Sequence, residues 1–244
     1  MEIIEIEKVM PYLINSFPIG MGMTAICFKN IDNVVIKIFK KNDEAKLLVD
    51  KDDFLDRLTN IGRISNSTFI GPDTILVHND KVVGYLYPYI NAKVLAKIPK
   101  STRLSTLFGN YEILLKDTKE ISDEHLRLYD VHNRNILFNG KYYVIDLDKS
   151  NFMENVEFNF IENMSVLFNN ILWQIYGTKP WELVRFMDYN VEKFVGKMSK
   201  CDIESIKEFV KLLSDRCEED DPTIMTVKKK IKGINEYNSY YKLY

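Results

Sequence analysis

The chain has little of what staples or cages a small fold. Its three cysteines, Cys27, Cys201 and Cys217, lie far apart and form no CxxC pair. That argues against a zinc site or a disulfide framework and favours a reducing cytoplasm. Net charge is only −2, with 33 basic and 35 acidic residues, so the whole-chain balance points neither to nucleic acid nor to an acidic membrane surface. The basic run "VKKKIK" at 227–232 reads as the solvated face of a helix. Long apolar runs are missing too: "SVLFNNILWQIYG" is interrupted by Asn169 and Asn170 and is too short to span a bilayer. The start, "MEIIEIEKVM", has neither the basic lead nor the apolar centre of a secretory signal. No internal repeat or low-complexity tract is visible. The expectation is a soluble cytoplasmic protein whose 244 residues, 46% of them apolar, suffice for one large domain or two modest lobes.

What is present is periodic. Residues 17–41, "FPIGMGMTAICFKNIDNVVIKIFKK", predict three strands separated by a Gly-rich turn and "NIDN". "NDEAKLLVDKDDFLDRLTNIG" predicts one helix, or two broken near Asp50–Asp52, with Asn42 or Asp43 as N-cap and Gly62 as the stop. "FIGPDTILVHNDKVVGYLYPYI" predicts a hairpin turning at "HNDK", its second strand ending at Pro88. From about residue 101 the spacing becomes mainly helical, with strong helices in "ENMSVLFNNILWQIYG" and "DIESIKEFVKLLSDRC". The fold class expected is α+β and bilobal, with a small β-rich lobe over residues 1–90 and a mainly helical lobe over 91–244.

Chemistry concentrates in three places. In "IGMGMTA" (19–25), glycines would let backbone amides approach a phosphate. Lys37 lies mid-strand in "VVIKIF", where an unpaired ammonium would be costly to bury; it either faces solvent or is a cation aimed at phosphate oxygens. The third is "DVHNRNILFNGKYYVIDLD" (130–148), a hairpin with a turn at Asn139-Gly140 and polar oxygens at both mouths. There Asp130 could accept or orient a hydroxyl proton, while Asn135 and Asp146 are hard oxygen donors suited to magnesium.

The order of these pieces, Gly-rich loop, strand Lys, D-x-x-x-x-N, hairpin and strand-terminal Asp, resembles the protein-kinase-like superfamily over most of the chain. "GYLYPYI" (84–90) falls where the interlobe hinge would be. Residues 163–177 look like the buried central helix of the large lobe, with Asn163 where an Asp is usual, and 212–231 are similar to its closing helical region. The resemblance implies an ATP- and magnesium-dependent kinase. By it, Ile19, Gly20, Gly22 and Ala25 would cover the nucleotide, and Lys37 would hold the α- and β-phosphates. Asp53, chosen over Glu44, Asp50 and Asp56, would pair with Lys37. Adenine would sit near Leu86, Tyr87 and Tyr89 and hydrogen-bond the hinge backbone, Asp130 would be the catalytic Asp, and Asn135 and Asp146 would coordinate magnesium.

Several residues depart from that pattern. Leu128 and Tyr129 precede Asp130 where His-Arg is frequent, so activation by loop phosphorylation is not expected. His132 stands where protein kinases often carry Lys, which makes the run more similar to the D-x-H-x-x-N of aminoglycoside and choline kinases and of some bacterial and phage kinase-like proteins. Structurally, His132 would fix its loop. Leu147-Asp148 replaces Phe-Gly, and Asp148 is either a second group near the metal or a strand-end cap. The segment "DLDKSNFMENVEFNFIEN" is short and has no Ala-Pro-Glu element. The resemblance implies first a kinase for a protein Ser or Thr hydroxyl; His132 and the short segment favour the alternative of a small-molecule hydroxyl acceptor, and Ala25, Leu128, Tyr129 and Asp148 that of a nucleotide-binding pseudokinase scaffold. No nucleic-acid or membrane partner is expected.

Overall fold

The computed structural model describes residues 1–176 and 202–241. Alternating strands make a six-stranded sheet from β1 (Glu2–Glu5), β2 (Ser16–Met21), β3 (Ala25–Asn30), β4 (Val34–Phe39), β5 (Thr74–His78) and β6 (Lys81–Pro88), in the order β1-β5-β6-β4-β3-β2. The three strands and the hairpin expected from the sequence are there. The hairpin turns on Asn79 and Asp80, both with positive φ (50° and 61°), as a tight type I′ turn requires. β1 is an addition: it pairs in parallel with β5 at the sheet edge, a partnership between distant segments that no local pattern signals.

Pleating gives the sheet two faces. The inner one carries Ala25, Val35, Phe39, Ile75, Val77, Tyr85 and Tyr87, packed with Leu48, Phe54 and Leu58. Those last three come from helices α2 (Asp43–Val49) and α3 (Phe54–Arg63), which follow α1 (Met10–Ile14). The outer face buries Val9, Ile36 and Leu76, with Leu13 and Leu86 beside them. Asn42 caps α2 by accepting from the Ala45 N–H at 3.0 Å, and the chain breaks after Val49 as anticipated. Gly62 does not stop α3, which runs on to Arg63. It serves instead where α3 meets Pro72, whose carbonyl oxygen would lie 2.5 Å from a Cβ there.

The remaining described chain is mainly helical: α4 (Leu104–Phe108), α5 (Tyr111–Asp123), α6 (Val156–Tyr176), α7 (Ile203–Cys217) and α8 (Ile224–Tyr241). Its strands are short: β7 (Lys93–Val94), β8 (Leu126–Arg127), β9 (Ile136–Phe138), β10 (Tyr142–Val144) and β11 (Asn151–Phe152). Tyr111, Leu114, Met164, Leu167, Phe168, Phe209 and Leu213 form its core. Val227 and Ile231 bury one side of α8 while Lys229, Lys230 and Lys232 stay exposed, the solvated basic face expected. Cys27 and Cys217 are free thiols; Cys201 lies outside the described residues.

Gly84 fixes how closely β6 approaches β4. A Cβ at this position would sit 2.2 Å from the Lys37 carbonyl oxygen, closer than any real contact. Gly84→Ala should therefore push β4 aside and cost about 1–3 kcal/mol of stability. Urea denaturation measures it; an unchanged midpoint would mean that this approach is not held.

Candidate active site

Lys37 lies in the middle of β4, across from Cys27 on β3 and Tyr85 on β6. Strand alternation turns it to the inner face, where it is only 4% exposed. A bare ammonium there would be strongly unfavourable. Its Nζ donates to the Tyr85 hydroxyl at 3.1 Å, to Asp148 Oδ2 at 2.6 Å and to Asp146 Oδ1. Burial works against the charged form, but Tyr85 and the Asp148 and Asp146 carboxylates outweigh it and hold the pKa of Lys37 well above its ordinary value.

The β9–β10 hairpin, turning where Gly140 takes φ 102°, delivers the carboxylates. Asp146 follows β10 in the left-handed region (φ 66°, ψ 48°) and opens a 3-10 turn, Leu147–Lys149. Leu147 plugs into the helical core and Asp148 is 2% exposed. Burial opposes ionisation of Asp146, yet Lys37, then Lys149 and His132, pull its pKa below the ordinary carboxylate value. Burial pushes Asp148 up, with Lys37 opposing it and the Asp146 charge adding to it. Asp130 also has positive φ (57°); non-glycine residues in this region are uncommon and cluster at functional sites.

Hydrogen bonds tie the loop to this turn. Lys149 Nζ donates to Asp130 Oδ2. Asn135 donates its side-chain amide to the Asp130 carbonyl at 3.3 Å and its N–H to the His132 carbonyl at 2.8 Å, and it accepts from the Ile145 N–H at 2.9 Å. His132 Nδ1 accepts from the Arg134 N–H at 3.2 Å, the loop-fixing arrangement. Below, Asn163 of α6 accepts from the Leu128 N–H at 2.7 Å and donates to the Leu126 carbonyl and Ser122 hydroxyl. Ser150 accepts from the Tyr129 N–H at 3.3 Å. Lys37, Asp130, Asn135 and Asp146 are thus joined by one set of contacts running through residues 145–149.

The other expected site residues divide. Ile19 and Gly20 are exposed at the end of β2, where Gly20 pairs with Cys27, and Gly22 is exposed in the β2–β3 turn, which is held by the Gly22 N–H donating to the Ala25 carbonyl and by Lys40 Nζ donating to the Gly22 carbonyl at 2.6 Å. Ala25, Tyr87 and Tyr89 pack on the inner face with Cys27 and Ile145, and Lys29 Nζ lies 4.3 Å from the Tyr89 ring centroid. Leu86 is a correction: period-2 alternation sends its side chain to the outer face with Ile36 and Val9, and its carbonyl accepts from the Asp73 N–H at 2.8 Å. Asp53 is the second correction. At the start of α3 its largely exposed carboxylate lies 4.0 Å from Arg57, while Lys37 is paired with Asp146 and Asp148.

Sequence reasoning missed Lys149 and Tyr85. Lys149 shares the short run "DLDK" with two acids, and Tyr85 becomes visible once β6 is laid antiparallel to β4.

Burial raises the pKa of several neutral groups: here the Tyr85 and Tyr87 phenols stand well above 10.0 and the Cys27 thiol above 9.0, while in the helical core the Tyr142 phenol stands well above 10.0 and Cys217 is pushed up to about 11. Each ionises more readily in the unfolded chain. The stability they contribute is complete below the ordinary values and is lost as pH climbs through the raised ones, as it is for Lys37. The melting temperature should therefore fall steadily from about pH 9 to about pH 11. A flat profile over that range would contradict the burial of these groups.

No family model and no curated protein matches the chain. In structure it is similar to a twitchin kinase fragment from C. elegans, described as autoregulated protein kinase and immunoglobulin domains, with a TM-score of 0.55 at 11% sequence identity. The likeness covers 93% of this chain, which spans 63% of the length of that one. The chain therefore has a protein-kinase-like α+β fold, a β-rich N-terminal sheet followed by a helical part. Among the described residues no helix is long and apolar enough to cross a membrane.

Proposed function

We propose that the chain is an ATP- and magnesium-dependent phosphotransferase acting on a protein Ser or Thr hydroxyl. The observation that carries this reading is the buried, protonated Lys37 held against Asp146, with Asp130 and Asn135 linked to the same short turn. Lys37 binds the α- and β-phosphates under the β2–β3 hairpin that carries Gly20 and Gly22, and Ala25, Tyr87 and Tyr89 supply apolar surface for adenine. Asp130 accepts or orients the proton of the attacking hydroxyl, and Lys149 holds that carboxylate in orientation. The donor chemistry fits magnesium: Asn135 spends its amide nitrogen on the Asp130 carbonyl and keeps its oxygen, and the Asp146 side chain is 40% exposed and ionised at neutral pH. Asn135 and Asp146 would hold the ion, which when bound neutralises and orients phosphate oxygens.

A small-molecule hydroxyl is the second reading for the acceptor. It is favoured by the short run between the Leu147–Lys149 turn and the start of α6 at Val156, which leaves little chain on which to lay a peptide. Incubation with labelled ATP and magnesium, with a generic protein or a panel of hydroxylated metabolites, separates the two. Label on protein supports the first, and label on metabolites alone the second. Nucleotide binding with no turnover on either would overturn both in favour of a scaffold.

A further inference from the structure

Lys37 needs a carboxylate that stays with it when Asp146 turns to other work. Neither helix after β4 offers one. α2 buries Ala45 and Leu48, and α3 buries Phe54, Arg57, Leu58 and Ile61. The single charge that α3 turns inward is thus a cation, which cannot pair with an ammonium. Arg57 reaches instead to Asn151 Oδ1 at 3.2 Å, just beyond the turn that carries the acids. Asp146 and Asp148 differ in a way that divides the labour. The Asp146 side chain, though paired with Lys37 through Oδ1, is 40% exposed and keeps a face open to a ligand, whereas the Asp148 side chain is 2% exposed with Oδ2 2.6 Å from Lys37 Nζ.

We propose that Asp148 is the positioning residue of Lys37, taking the part that an acid from the helices after β4 would otherwise play and leaving Asp146 available to the metal and phosphates. The inference rests on the nucleotide-binding reading of this site. It ties the aim of Lys37 to the Asp146–Lys149 turn, so that movement of α3 alone does not release the lysine.

The test is titration of adenosine, and of a non-hydrolysable ATP analogue with magnesium, into the wild type, Asp148→Asn, Asp53→Ala, Lys37→Met and the double variant Lys37→Met/Asp148→Asn. Asp148→Asn should weaken the analogue about tenfold or more, the size of one lost charge-assisted hydrogen bond, and leave adenosine unchanged. A purely structural role would weaken both. The double variant should bind the analogue no worse than Lys37→Met alone, because both changes break one interaction, and Asp53→Ala should bind as the wild type does. Asp148→Asn keeps the side-chain shape and leaves Lys37 paired with Asp146, so folding is expected. Should it nevertheless fail to fold, the double variant supplies the comparison with Lys37→Met: additional loss of analogue affinity would overturn the proposal. A wild type that binds the analogue while Asp148→Asn binds it equally well overturns this proposal alone. A wild type that binds no nucleotide overturns the reading of the site and the proposal with it.

Discussion

Lys37→Met should cost the fold about 3–5 kcal/mol, because it strips the counter-ion from two carboxylates and leaves an uncompensated buried charge. Asp148 bears most of this, since its side chain is 2% exposed while that of Asp146 is 40% exposed and has Lys149 nearby. Lys37→Met/Asp148→Asn should consequently be more stable than Lys37→Met, although it carries one more substitution. Acid should narrow the gap: the pKa of Asp148 is already raised, so lowering the pH neutralises it in the single variant before it would an ordinary carboxylate. Urea denaturation of the three chains at neutral and mildly acid pH measures this. Equal stability of wild type and Lys37→Met would mean that the ion pair at the centre of the site is not formed.

Asp130→Asn should separate catalysis from folding. The carboxylate touches Lys149 at a site where both side chains are more than a third exposed, and such pairs contribute at most about 1 kcal/mol. Its amide isostere also leaves the backbone bond from Asn135 in place. Melting temperature and nucleotide affinity should barely move, while the transfer rate should fall by about 10²–10⁴, the usual contribution of a placed general base. Residual transfer near the wild-type rate would remove Asp130 from the chemistry.

Much of the frame was legible because it is local. The strands of residues 17–41, the break between α2 and α3, the "HNDK" turn and the 136–144 hairpin are written in alternation, capping and turn residues, which need no partner elsewhere to be read. The corrections arise where tertiary pairing decides. β1 exists because β5 accepts it. The face that Leu86 takes depends on register in the middle of the sheet, and a bulge on the same strand, where Leu76 pairs with Gly84 but Val77 with Val82, resets the alternation at Val83. Gly62 looks like a helix stop and is a packing contact. The order of Lys37, Asp130, Asn135 and Asp146 along the chain leads one to expect them in one place, and contacts through residues 145–149 join them. The acid that pairs with Lys37 is not legible in that order, because expectation placed it on the next helix. The structure sets two acids of the turn after β10, Asp146 and Asp148, against Lys37, far away in sequence and in direct contact in space.

The most direct measurement is transfer of the γ-phosphate from labelled ATP with magnesium, comparing wild type with Asp130→Asn and Asp146→Asn, followed by intact mass and by chromatography of the small-molecule fraction. Label moving from ATP to a protein or metabolite hydroxyl with the wild type, and lost with both variants, is the predicted result. Equal transfer by all three chains, or none by the wild type on any acceptor while it still binds ATP, would contradict a phosphotransferase built on these residues.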